Sequence, residues 1–217
     1  MTVPVGERSR TVGILFSFEG IDGAGKTTQV ALLADALSDR GHKVTCLREP
    51  GGTRLGEKIR SLLLDKSDEP PVPVAELLLF AAARAQIVAT RVKPALERGE
   101  IVILDRFTDA TFAYQGYGRG LPLDQILSVE SIAAGIEPAR TWFLDLTPEQ
   151  SARRREARGE ASDRMEAEAD SFRSKVRDGY LERAKRHPGR VVVVDAAGSL
   201  ESIHERILAD ALGILAA

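Results

Sequence analysis

The sequence predicts an α/β domain in which five parallel strands are covered by helices on both faces. Two observations carry that expectation. Apolar runs alternate with amphipathic segments, the βαβ pattern of a parallel sheet. A glycine-rich turn, Gly20-Ile21-Asp22-Gly23-Ala24-Gly25-Lys26-Thr27, also stands between the first apolar run and the first amphipathic segment. It fits G-x-x-x-x-G-K-[S/T] at every fixed position, in the strand–loop–helix setting that a phosphate-binding loop requires.

In chain order, strands are expected at Ile14–Phe18, Lys43–Leu47, Ile101–Leu104, Thr141–Leu144 and Arg190–Val194. The first helix runs from Thr27 to Arg40, gathers Val30, Leu33, Ala34 and Leu37 on one face, and stops at Gly41. A second covers Leu55–Leu64. A long third spans Val74–Glu97, with Pro94 kinking its last turn. Asp105 to Pro122 reads as a loop-rich stretch. From Pro148 a helix enters an arginine cluster, breaks near Gly159 and restarts by Asp163, placing Met165, Ala169, Phe172, Val176 and Tyr180 on one face. A last helix covers Ser199–Leu212. Nothing marks a linker, so residues 1–217 read as a single domain of three-layer P-loop NTPase fold with a small lid at about 153–164.

Composition sets the outer limits. A chain of 217 residues, 43% hydrophobic and 29% charged, is an ordinary globular protein with a substantial core. Its net charge of −2 makes a nucleic-acid polymer a poor default partner. The lone Cys46, inside Val44-Thr45-Cys46-Leu47, reads as a small core residue. No apolar run is expected to span a bilayer, and residues 1–10 read as a flexible tail without a signal-peptide centre. A cytoplasmic enzyme is the expectation.

The loop supplies the first chemistry. Glycines let backbone N–H groups turn inward around phosphate oxygens, and the helix N-terminus adds partial positive charge. Gly20, Ile21, Asp22, Gly23, Ala24, Gly25, Lys26, Thr27 and Thr28 are the ATP-binding candidates, with Lys26 on the β/γ-phosphates and the Thr27 hydroxyl on Mg²⁺. Ligands of parallel sheets sit beyond the strands' carboxyl ends. Arg48 after the second strand and Asp105-Arg106 after the third therefore draw notice. The arginines suit a second phosphate, and a surface salt bridge is the equal alternative for either alone. Asp105 resembles the acidic residue that holds Mg²⁺ in phosphate-loop enzymes. The cluster Arg153, Arg154, Arg155 and Arg158 could stabilise a migrating phosphoryl group, although by itself it reads more simply as a solvated face paired with Glu156 and Glu160.

Two absences narrow the field. No Ser/Cys–His pairing stands out, and an acceptor that is already a phosphate needs no base. The chain contains no asparagine, and so no Asn-Lys-x-Asp guanine reader.

Together FEGIDGAGKTTQ (18–29), REPGGT (48–53), FAAARAQ (80–86), DRFTDATFAYQGYGRG (105–120) and RREARGEASDR (154–164) closely resemble bacterial thymidylate kinase, from Ile14 to nearly the end. The resemblance implies transfer of the ATP γ-phosphoryl group to dTMP with Mg²⁺, by a homodimer. It implies that Asp22 lies near the sugar 3′-hydroxyl, that Arg48 and Arg106 hold the acceptor phosphate, and that Phe80 stacks on thymine. Arg84, one turn on, would donate to O4, with Thr111 and Gln115 also at the base. Tyr114 would sit beneath the sugar and exclude a 2′-hydroxyl. With no arginine inside the loop, Arg154, Arg155 and Arg158 become catalytic candidates alongside Asp22, Lys26 and Arg106. Phe107 and Ala110 depart from the family's usual tyrosine or histidine and serine. A kinase for dUMP or dCMP, and a slow ATP-hydrolysing switch, remain open alternatives.

Overall fold

Six consecutive residues, Ile14–Glu19, form β1, and all but the first are buried. A strand buried on both faces has to be central, and β1 is. In the computed structural model, which describes residues 13–158, 164–165 and 169–216 (Arg158 by its backbone alone), the sheet runs β2-β3-β1-β4-β5. Its partners are β2 (Val44–Arg48), β3 (Ile101–Asp105), β4 (Arg140–Asp145) and β5 (Val191–Asp195), all parallel. Register brings the carboxyl ends level: Phe18 lies beside Asp105, Arg48 beside Asp105, and Asp145 beside Asp195. The turns that follow therefore open on one side of the sheet.

Alternation along the strands divides the core in two. Phe16, Phe18, Ile101 and Ile103 face one layer, with α1 (Lys26–Ser38) and the chain's last helix packed there. Leu15, Val102 and Leu104 face the other, with Val88, Val92 and Ala95. Trp142 fills the first layer, its ring 5.1 Å from Phe16 and 5.0 Å from Phe18. An aromatic pair of this kind adds about 0.5–1.5 kcal/mol beyond area burial.

The helices are α2 (Arg54–Leu64), α3 (Pro73–Ile87), α4 (Lys93–Glu97), α5 (Thr108–Thr111), α6 (Leu123–Ala133), α7 (Pro148–Arg158), α8 (Asp170–Arg186) and α9 (Leu200–Leu215). The Thr53 hydroxyl caps α2 by accepting from the Gly56 N–H at 2.9 Å. As expected, α1 ends just before Gly41, which takes φ +87°.

Several expectations need correction. Asp105–Pro122 is not loop-rich: α5 continues into a π-helical segment, Phe112–Gly118, because Phe112, Ala113, Tyr114 and Gln115 are buried against α3 and α8. Helix α6 has no counterpart among the expected helices. The irregularity near Pro94 is a π-turn at Val88–Val92, ahead of the proline, which then occupies the first turn of α4. Helix α8 starts at Asp170, so Met165 and Ala169 precede it, although Phe172, Val176 and Tyr180 do share its buried face. Cys46 is exposed, on the edge strand β2. By length and composition Pro73–Glu97 could cross a bilayer. In the fold Val88, Val92 and Ala95 pack on the sheet, Leu77 and Ala83 pack on other helices, and its midpoint carries the ion-paired Arg84. The tail and the lid break at Gly159–Ser162 lie outside the described residues.

Candidate active site

The loop after β1 is shaped by backbone that only glycine tolerates well. Gly20, Gly23 and Gly25 take φ of 141°, 83° and 91°, and a Cβ on Gly20 would lie 2.7 Å from the Leu144 carbonyl oxygen. No side chain caps α1 at Gly25, so its first N–H groups face the loop's interior. Lys26 is buried and folded over the loop, donating to the carbonyls of Gly20 at 3.0 Å and Ile21 at 3.2 Å. Burial, then the charge of Arg106, lowers its pKa. The Thr27 hydroxyl donates to Asp105 Oδ2 at 2.7 Å, joining the first turn of α1 to the end of β3.

Arg106 links this loop to the next cavity. It is left-handed at φ 70°, a cost that non-glycine residues bear only when their surroundings hold them. Its own N–H donates to the Phe18 carbonyl at 2.9 Å. The buried Glu19 then accepts from the N–H groups of Phe107 at 2.7 Å and Ala110 at 3.3 Å, and from Tyr180 Oη at 2.8 Å. Burial, with Asp109 nearby, pushes the Glu19 carboxyl up to about 8. Thus held, the Arg106 guanidinium donates to Asp22 Oδ1 at 2.6 Å and lies 5.0 Å from the Tyr114 ring centre. Burial would raise Asp22, but Arg106, Lys26 and Arg155 outweigh it and keep the carboxyl down at about 2.

Beyond Asp22 and Arg106 opens a cavity lined by Phe80, Arg84, Ala110, Thr111, Tyr114 and Gln115. All the residues expected at the base are here. Arg84 is 1% exposed and donates to Glu49 Oε2 at 2.6 Å, Thr111 Oγ1 at 2.7 Å, the Phe107 carbonyl at 3.0 Å and Glu130 Oε1. Gln115 donates to Glu76 Oε1 at 2.8 Å. Phe80 is half-buried and packs on Ile59, Leu63 and Ala83. The departure at Phe107 is accommodated: its ring is fully buried, 5.3 Å from the Arg84 guanidinium carbon.

Arg48 is not brought to the cavity. It is exposed and pairs with Glu57 at 3.3 Å, while Arg60 of α2 lines the cavity instead. Of the lid arginines, Arg154 donates to the Ala196 carbonyl at 2.7 Å and the Gly23 carbonyl at 3.5 Å. Arg155 lies beside Gly23, and Ser151 of the same helix donates to the Asp22 carbonyl at 2.6 Å. The side chain of Arg158 is outside the described residues. Sequence reasoning missed Glu19, Glu49, Arg60, Glu130 and, as more than a core residue, Tyr180. Glu19 and Glu49 could have been found, since they flank the loop glycine and Arg48. Glu130 had no local signal, because its helix went unread.

The glycine-shaped loop and the arginine-lined cavity share one aspartate, Asp22, and the chain that carries them has known relatives. The family described as thymidylate kinase matches residues 18–207. This chain belongs to that family. It is 46% identical to a thymidylate kinase of Thermoanaerobacter sp. (strain X514), over 90% of this chain and 96% of the relative. It is 49% identical to one of Geobacter sp. (strain M21), over 88% and 87% of the two chains. A crystal structure of thymidylate kinase from Ehrlichia chaffeensis aligns with a TM-score of 0.75 at 33% identity, covering 92% of this chain and 98% of that one. Family and fold agree.

Proposed function

We infer that the loop around Lys26 and the cavity beside it are two halves of one phosphoryl-transfer site, in which this protein, a dTMP kinase, converts ATP and dTMP to ADP and dTDP. The observation that carries the reading is the Asp22–Arg106 pair. It closes the gap between the phosphate cradle and the cavity, where donor and acceptor phosphates have to meet. ATP sits on Gly20 to Thr28, with Lys26 released from the loop carbonyls to the phosphates. Arg106 grips the acceptor phosphate, and Asp22 faces the sugar hydroxyl. Phe80, Arg84, Thr111 and Gln115 surround the base, over Tyr114. Arg154 and Arg155, already against the loop, neutralise charge on the moving group, joined by Arg158. The approach of two anions is the obstacle, and fixed cations remove it.

Mg²⁺ fits the residues present. The Thr27 hydroxyl and Asp105 carboxylate are hard oxygen donors in direct contact, and Mg²⁺ takes few protein ligands while keeping waters and phosphate oxygens. Bound there, it would neutralise phosphate charge. Self-association is supported by exposed Leu55 and Leu62 on α2, Val74 and Leu78 on α3, and Leu127 and Ile132 on α6, helices that pack side by side. We place the enzyme in the cytoplasm as a homodimer.

A coupled ADP-release assay comparing dTMP, dUMP, dCMP and UMP tests the reading. Turnover should be strong with dTMP and slight with UMP. ADP release indifferent to the acceptor would leave only an ATP-hydrolysing switch.

A further inference from the structure

What fixes Arg84 lies partly outside the cavity that it lines. Its guanidinium is planar, with five N–H groups in a rigid fork. Four of them are spoken for: Nε by Glu49, Nη1 by Thr111 and Glu130, and one on Nη2 by the Phe107 carbonyl. One Nη2 N–H has no partner among the described residues, and it is the group a base in the cavity can meet. Its direction follows from the plane of the fork, and the plane follows from the other four bonds.

Glu49, Phe107 and Thr111 come from turns and helices at the cavity wall. Glu130 is different. It sits on α6, none of whose residues lines the cavity, and it borders the cleft on the far side. It is 4% exposed, and its Oε2 is buried without a hydrogen-bond partner among the described residues. Glu49 has a matching bare Oε1. Two buried carboxylates on one guanidinium exceed what charge balance requires, and each carries a desolvation cost. An apolar residue at 130 would tether α6 more cheaply. Without Glu130, the Nη1 end is held by the Thr111 hydroxyl, a rotor that follows the guanidinium instead of fixing it.

We infer that Glu130 is a specificity-determining positioning residue. Anchored from behind, it holds Arg84 in the one orientation that offers its remaining N–H to the base. That donor accepts a 4-keto pyrimidine and rejects a 4-amino one, which would set donor against donor. Arg84 cannot adapt by losing a proton, because Glu130 and Glu49 outweigh burial and raise its pKa further. The inference rests on the reading of Arg84 as the group that meets the base.

Steady-state kinetics with dTMP and dCMP at saturating ATP, with melting temperatures alongside, test it on wild type, Glu130→Ala, Glu130→Gln, Glu130→Asp and Arg84→Lys. Glu130→Ala should raise KM for dTMP about tenfold or more, with kcat changed by about twofold at most, and should narrow the dTMP:dCMP ratio of kcat/KM. Glu130→Gln keeps an acceptor and should stay within about threefold of wild type. Should Glu130→Ala fail to fold, Glu130→Asp keeps the charge on a shorter arm and must narrow the ratio in the same direction. A KM for dTMP and a dTMP:dCMP ratio that stay put, whatever the melting temperature does, overturn the inference. Arg84→Lys separates the two failures. If it too changes nothing, the base-reading role of Arg84 has failed; if it alone changes the ratio, only the role of Glu130 has.

Discussion

Two carboxylates on one cavity wall, Asp22 partly exposed and Glu49 buried, are driven in opposite directions. Asp22, in the phosphate loop, is held down at about 2, and Glu49, in the base cavity, is pushed up to about 7. Burial penalises both. Asp22 sits among Arg106, Lys26 and Arg155, a surplus of cations that outweighs the penalty. Glu49 has Arg84 against it, but Glu130 draws on the same guanidinium and adds repulsion. The loop end carries a surplus of cations, and the cavity end is a lattice of paired charges already closed on itself. The first leaves positive charge in excess, and the second fixes its arginine with side chains of its own.

Removing the central cation should break the closed lattice most severely. Arg84→Ala leaves Glu49 and Glu130 buried together, and chemical denaturation should show a loss of about 3–5 kcal/mol. The same operation on the open end should act on rate instead. Lys26→Ala should lower kcat by about 10²–10³-fold with a smaller drop in melting temperature than Arg84→Ala, because Lys26 bonds two loop carbonyls and sits 3.8 Å from an Asp22 that keeps Arg106 as its closer partner. If Lys26→Ala unfolds the protein as readily as Arg84→Ala, the contrast between the two ends is wrong.

Two smaller effects sharpen it through pH. A carboxyl whose folded pKa is raised contributes stability that is fully present below its ordinary value and lost as pH rises through the folded one. For Glu49 that window runs from the ordinary 4.5 to about 7. Glu49→Gln should therefore flatten the decline in stability across pH 4.5–7, by an amount on the order of 1–3 kcal/mol in denaturation midpoints converted to free energy. Asp22 has the opposite sign. Its depressed pKa contributes stability above the ordinary 3.8 that is lost as pH falls towards about 2. Asp22→Asn should thus be the less stable protein near neutrality, and the gap should close in acid melts between pH 4 and 2. A gap that is constant with pH would mean the Asp22 pairings contribute nothing through its charge.

The two ends also differ in how readily they could be read from the chain. The phosphate cradle is local: eight consecutive residues supply its turns, its lysine and its hydroxyl, and the partner Asp105 ends an obvious apolar run. The cavity is lined by segments from Asp22 to Met165, and the network behind its Arg84 reaches from Glu49 to Glu130. Its lining residues Phe80, Arg84, Thr111, Tyr114 and Gln115 are legible through family resemblance, but their supports are not. Glu130 lies on a helix whose apolar pattern is broken by Ser128 and Ser131, and the π-helical Phe112–Gly118 carries glycines that resemble turn chemistry.

The sequence by itself determined the βαβ order, the parallel sheet, the position and conformation of the phosphate loop, and the family. Periodicity and a contiguous motif are local properties, and local properties survive without coordinates. Only the tertiary structure decided that Arg48 turns away to Glu57 while Arg60 lines the cavity, that Glu19 and Tyr180 hold Arg106 in a left-handed turn, and that two acids share Arg84. Each depends on which distant side chains are buried together. Burial, rather than spacing, sets the cost of leaving a charge unpaired and hence the partner it takes.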